Sequence, residues 1–215
     1  MSTSLSGDDT LDLPEFDAPP PDPMTLVQRW LDLSEEHEVS EPLSMTLATA
    51  SADGVVSART VDVKTIDEDG LVFGTSDQSR KGADLAENPS AALQVYWRET
   101  MQQLRFEGRA IRLSDADSDG LFTARSPKSR AATAVSRQSA PFSATDPEQG
   151  IDRLLADANA LLDEHGDDVP RPPTWAAYRL VPSTVEFWKG SRDRMHRRIR
   201  YTATETGWAV ERLQP

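Results

Sequence analysis

Six basic side chains crowd into one short run of this sequence. Between Glu186 and Tyr201, EFWKGSRDRMHRRIRY, stand Lys189, Arg192, Arg194, Arg197, Arg198 and Arg200, six of the 23 Lys and Arg residues in a chain of net charge -13. Like charges this close repel one another unless something anionic sits nearby. Phe187 and Trp188 precede the run, and His196, one of three histidines, lies within it. Guanidinium groups beside aromatic rings make a site for a small anionic ligand with a flat ring. His196 has the chemistry of an acid, a base or a substrate anchor. The simpler alternative is structural: the run ties two subunits together through ion pairs with Asp and Glu.

A second cluster is expected from Arg59, Lys64, Ser79, Arg80 and Lys81. RTVDVK lies on one strand, the next strand ends at Gly74-Thr75, and SRK starts the helix after it, so a hairpin brings the helix start beside the first strand. Free N–H groups at a helix start, a hydroxyl and two or three cations together form a phosphate site. For SRK alone, solvated surface charge is the simpler reading. Gln102-Gln103 and Gln138-Ser139 are further polar candidates, because a glutamine offers both donor and acceptor to the edge of a heteroaromatic ring. Each is otherwise an ordinary hydrogen-bonded residue, and Trp97 and Trp188 are by default core or interface residues.

Other chemistries are excluded. Cysteine is absent, which removes disulfides, thiolate metal sites and a cysteine nucleophile. His37, His165 and His196 show no ligand spacing, so no metal is expected. No nucleophile-turn motif supports a serine hydrolase, and none of the 11 glycines falls in a dinucleotide-loop pattern. A pI near 4.6 argues against nucleic acid and acidic lipid as partners. With no apolar run of membrane-spanning length and no signal-like N-terminus, a cytoplasmic protein is expected.

These groups need elements to position them, and 215 residues suffice for one ordinary domain. Residues 1–22 are acidic and proline-rich with no basic residue, which predicts a flexible arm, a mobile tail or a segment along a partner subunit. Asp22-Pro23 starts a helix to about His37. From Ser44 the period becomes that of strands: SMTLATA, VVSARTVDVKTI and LVFGT, separated by the turn signals ADG and DEDG. A short helix spans Ser79 to Glu87. Two more strands follow between 91 and 113. Ser114 with Asp117 forms a capping box for a helix to about Arg125. Thr145-Asp146-Pro147 opens another helix with Ile151, Leu154, Leu155, Ala158, Leu161 and Leu162 on its apolar stripe. Strands return at 176–181, 184–189, 198–203 and 207–213. Hairpin-joined strands with a few helices predict a mainly β, α+β antiparallel barrel over 23–215.

Taken in order, RTVDVK, FGTSDQSRKGADLAENP, YWRETMQQLRFEGRA, VSRQS, EFWKGSRDRMHRR and GWAVERLQP resemble the pyridoxamine 5'-phosphate oxidase family of FMN-binding split barrels. The resemblance runs from about Pro23 to Pro215. It implies a homodimer with FMN at the subunit interface. Arg59, Ser79, Arg80, Lys81 and Ser139 would hold the FMN phosphate and ribityl chain. The segment Arg59, Thr60, Val61, Asp62, Val63 and Lys64, with Gly74 and Thr75, would line the flavin. Gln103, Gln138, Trp188 and Arg198 would meet the flavin or its chain, some from the other subunit. Lys64, Leu121, Arg125, Ser129, Arg194 and His196 would face the substrate, with Arg194 and His196 orienting it. The implied reaction is hydride removal from a small electron-rich heterocycle, with O2 reduced to hydrogen peroxide.

Two branches of the family compete for the substrate. Leu121 stands where the vitamin-B6 enzymes carry a tyrosine that holds the substrate phosphate, and Asp62 replaces an apolar residue of their strand. YWRETMQQ, VSRQS, SEPLSMTLATA and ERLQP look like the phenazine-biosynthesis oxidases. Lys64, Arg125 and Ser129 match the vitamin-B6 branch. The phenazine-type branch is preferred; pyridoxine/pyridoxamine 5'-phosphate oxidation and a flavin-binding barrel without oxidase activity remain open.

Overall fold

A computed structural model of the chain describes residues 5–142 and 147–215. The elements follow in chain order as α1 (Pro23–Glu36), β1 (Ser44–Ala50), β2 (Val56–Asp67), β3 (Gly70–Ser76), α2 (Arg80–Glu87), β4 (Ser90–Trp97) and β5 (Gln102–Arg112). After them come α3 (Asp115–Thr123), α4 (Pro127–Val135), α5 (Pro147–His165), β6 (Trp175–Lys189), β7 (Arg197–Thr204) and β8 (Gly207–Leu213). All strand pairings are antiparallel, in the order β3-β2-β1-β4-β5-β6-β7-β8, and β6 also pairs with β3. That extra pairing closes β1 to β6 into a six-stranded barrel, which leaves no open edge within the ring. β7 and β8 extend the sheet beyond it. The expected antiparallel split barrel is the observed fold.

Two irregularities shape it. The segments expected as separate strands at 176–181 and 184–189 form one strand, β6. Pro182 cannot donate to the ladder, yet the strand continues because Ser183 is skipped: Glu107 faces Thr184 and Gly108 faces Pro182. In β2 the register also shifts, with Val63 opposite Phe73 and Thr65 opposite Val72, so Lys64 is the bulged residue.

Side-chain caps set most helix starts. The Asp22 carboxylate accepts from the Met24 and Thr25 N–H groups at 3.2 and 2.9 Å and begins α1. α1 buries Trp30 against Phe16, Trp97 and Phe187 at one side of the core. Ser114 caps α3, which ends at Thr123, slightly short of the expected Arg125. Helix α4 has no counterpart among the expected elements, although Ser126 with Pro127 is an N-cap and first-turn signal. The expected cap Thr145-Asp146 lies outside the described residues. On α5, Leu154, Leu161 and Leu162 are partly covered, whereas Ile151 and Leu155 stay exposed. No described helix is long and apolar enough to cross a membrane.

The N-terminal segment departs from its expectation. Its composition predicts a flexible arm, but residues 5–22 lie against the same chain. Leu13 and Phe16 are 3% exposed, and buried Glu15 accepts a hydrogen bond from Trp30 Nε1 at 2.5 Å. Tyr201 Oη donates to the Pro20 carbonyl, and Arg212 donates to the carbonyls of Phe16 and Asp17. Composition averages over the segment, whereas two apolar anchors and a few backbone acceptors are enough to hold it down.

Candidate functional site

A cleft of about 1110 Å³ opens along β2. Its walls come from Arg59 to Asp62 and Lys64 on β2, Gly74 on β3, and Arg80 and Lys81 at the start of α2. Leu121, Arg125 and Ser129 close one side and Gln138 and Ser139 another. Thirteen of the expected site residues therefore line one concavity.

Three others lie beneath it. Val63 is 2% exposed and packs in the core, because alternation along β2 turns it inward, so it does not line the cleft as expected. Thr75 and Ser79 are also buried. Thr75 Oγ1 donates to Gln138 Oε1 at 3.2 Å, which holds the 136–142 segment onto β3. Ser79 caps α2 by accepting from the Gly82 N–H. The Arg80 N–H donates to Ser139 Oγ at 3.3 Å, and Ser139 adopts φ +72°, an unusual conformation for a residue with a side chain.

One end of the cleft is strongly cationic. Lys81 is 7% exposed, and its Nζ donates to the Ser79 hydroxyl at 3.4 Å. Burial first, and the neighbouring Arg59 charge second, lower its pKa to about 8. Arg59 is held by the Thr49 hydroxyl at 2.7 Å, by the Leu47 carbonyl and by Ser57. Asp84 braces this group, accepting from Thr49 and Ser57 and standing 4.0 Å from Arg59. No carboxylate within 4.0 Å of Lys81 occurs among the described residues. A buried ammonium without an ion pair is costly, and an anion entering the cleft relieves that cost.

The other end is mixed. Lys64 Nζ lies 3.0 Å from the Asp62 carboxylate. Arg125 donates to Thr133 Oγ1, and its guanidinium lies over the Phe122 and Trp175 rings at 5.5 and 5.3 Å. Burial, then Arg130, lowers its pKa. Leu121 adds an apolar surface.

The remaining expected residues lie elsewhere. Trp188 is thirteen residues along β6 from Trp175 at the cleft, about 40 Å of strand at the usual rise. It meets Tyr96 edge-on at 6.1 Å and His196 at 4.8 Å. The His196 ring accepts the Ser191 N–H at Nδ1, which leaves Nε2 as the ring's N–H donor. Arg194, in the same loop, has φ +71°. Gln103 is bonded to Gln94. Within one protomer these residues do not join the cleft.

The basic run proves largely paired within the chain. Arg192 faces Asp9, Arg197 faces Asp17, Arg198 faces Glu186 and Arg200 faces Glu211. Lys189 donates to the carbonyls of Asp8 and Thr100. The anion expected among these charges is thus, for four of the six, a carboxylate of the same protomer. Arg198, expected at the flavin, directs its Nε and Nη2 at Glu186 and Nη1 at the Gln214 carbonyl.

Six cleft-lining residues are not among the expected ones, Ser57, Ala58, Thr65, Ala124, Ser126 and Trp175. Ser126 carried a helix-cap signal; Trp175 had none, because only the β3–β6 pairing brings it over Gly74.

Comparison with known proteins places this geometry. Residues 34–189 match the pattern of "Pyridoxamine 5'-phosphate oxidase" and residues 175–215 that of "Pyridoxine 5'-phosphate oxidase C-terminal dimerisation region". The chain is 40% identical over 214 residues to the dihydrophenazinedicarboxylate synthase of Burkholderia lata, covering 99% of this chain and 97% of that one. It is 44% identical over 206 residues to the pyridoxine/pyridoxamine 5'-phosphate oxidase of Burkholderia cenocepacia, covering 94% and 93%. The crystal structure of PhzG from Burkholderia lata in complex with tetrahydrophenazine-1-carboxylic acid superposes with a TM-score of 0.90 at 40% identity, over 98% of this chain and 100% of that one.

Proposed function

This chain belongs to the pyridoxamine 5'-phosphate oxidase family, and we propose that it is a homodimeric FMN-dependent oxidase of a small reduced heterocycle of the phenazine-precursor type. The observation that carries the reading is the buried Lys81, which has no ion pair among the described residues, beside Arg59 and Arg80 at one end of a ring-sized cleft. This donor set fits the phosphate of FMN: two guanidinium groups, an ammonium, the Ser139 hydroxyl and a helix start. FMN, when bound, supplies the hydride acceptor, and O2 takes the two electrons and two protons to leave as hydrogen peroxide.

The protein's own part is to bind, orient and exclude water. Thr60, Asp62 and Lys64 form one wall for a planar ring, and the bare Gly74 lets the Trp175 indole sit close on β3. Trp188, Arg194 and His196 fall in the segment that matches the dimerisation region. We place these residues of the partner subunit over the cleft, where the imidazole Nε2–H donates to the substrate and the arginine helps to orient it.

A second reading has its own support. Lys64, Arg125 and Ser129 line the cleft, and the 44% identity to the vitamin-B6 oxidase exceeds the 40% identity to the phenazine enzyme. The deciding experiment follows peroxide release from the yellow, purified protein with a dihydrophenazine carboxylic acid and with pyridoxine and pyridoxamine 5'-phosphates. Faster turnover of the first is expected, because Leu121 offers a phosphate no hydroxyl. A colourless protein, or preference for the vitamin, would refute the proposal.

A further inference from the structure

We propose that Asp62 is a specificity residue, fitting the Lys64–Arg125 end of the cleft to a ligand of one negative charge, an aromatic carboxylate, and against a phosphate monoester. The inference rests on the function proposed above. Asp62 and Lys64 line the cleft together, with their charged groups 3.0 Å apart. The β-bulge at Lys64 falls within this segment, a device that re-aims side chains beside functional sites. Asp62 is also close enough to Arg125 for its charge to favour the guanidinium.

The charges then decide. Lys64 and Arg125 with Asp62 leave a net single positive charge at this end. A carboxylate carries one negative charge, while a phosphate monoester carries about two near neutral pH and would feel Asp62 twice as strongly. Leu121 contributes no donor to offset that repulsion. At the opposite end Arg59, Arg80 and Lys81 stand against Asp84 alone, which leaves two charges for a phosphate. The cleft is therefore polarised, with the phosphate-accepting end at α2 and the carboxylate-accepting end at α3. Fold stability does not account for the Asp62 pair. Asp62 and Lys64 are 69% and 42% exposed, and ion pairs in that setting contribute little.

The test uses the FMN-loaded protein with Asp62→Asn and Asp62→Glu, and measures binding of pyridoxal 5'-phosphate and of phenazine-1-carboxylate by calorimetry. Asp62→Asn should raise affinity about tenfold for the phosphate probe and about threefold for the carboxylate, because the lost repulsion scales with ligand charge. Asp62→Glu should leave the ratio of the two affinities as in the parent. Equal changes for both probes, or none, in protein with full flavin content would overturn the role of Asp62 and leave the oxidase reading intact. A parent protein that retains no flavin would overturn both.

Discussion

Gly74 lies so close to Trp175 that a Cβ on it would stand 2.1 Å from the indole Cζ2. The missing side chain is what seats the indole on β3. From there Trp175 meets Phe122 edge-on at 5.1 Å and lies under the Arg125 guanidinium. A strand glycine thus positions an arginine on another element, through one aromatic ring.

Gly74→Ala should displace Trp175 and, through it, Arg125. The expected cost is about 1–3 kcal/mol of stability in urea unfolding, as for other overpacked sites. Binding of an aromatic carboxylate should weaken as well. Unchanged tryptophan fluorescence and unchanged stability would contradict this geometry.

Lys81→Met keeps an unbranched apolar side chain of nearly the same length and removes the buried charge. Without FMN the variant should be at least as stable as the parent, because a desolvated ammonium with no ion pair is lost. FMN binding should weaken by about 1.5–3 kcal/mol, the scale of a hydrogen bond to a charged group. Flavin fluorescence titration and thermal unfolding of the apoprotein separate the two effects.

The same lysine sets a pH dependence. Its pKa is near 8 in the folded protein against its ordinary 10.5. FMN phosphate favours the protonated amine, so above about pH 8 binding must take up a proton, and affinity should fall by up to about tenfold per pH unit. For the apoprotein the sign is reversed. Between pH 8 and 10.5 the unfolded chain holds more protons at this site, so stability gains from Lys81 as pH rises through that window. Lys81→Met should flatten both slopes, as read by FMN titrations and urea unfolding across the range.

Subunit mixing tests whether the cleft is completed by a partner. An Arg80→Ala/Lys81→Ala chain and a His196→Ala chain should each form weakly active homodimers. Co-expressed, they should recover about a quarter of parent activity, since half of the dimers are mixed and each mixed dimer has one intact site. Activity that stays at the level of the homodimers would place His196 outside the shared site.

Phe16→Ala examines the N-terminal segment. A buried phenylalanine packed on Trp30 and under Arg197 should cost about 3–5 kcal/mol when truncated. A change within ordinary surface limits, below about 0.5 kcal/mol, would restore the flexible arm that composition predicts.

Local physics made much of this protein legible from its residues. Alternation marked β1 to β5, Asp22, Ser79 and Ser114 marked helix starts, and RTVDVK with SRK marked two walls of one cleft. Each depends on periodicity or capping within a few residues, and the sequence contains those terms in full. Burial and pairing depend on partners far along the chain. Only the folded barrel buries Lys81 with no ion pair among the described residues, turns Val63 into the core and sets Trp175 against Gly74. The basic run shows the difference most plainly. Arg192 and Arg197 find Asp9 and Asp17 about 180 residues away, in a segment that composition alone assigns to solvent. Charge density is a property of sequence, but which charge lies within 4 Å of another is decided by topology.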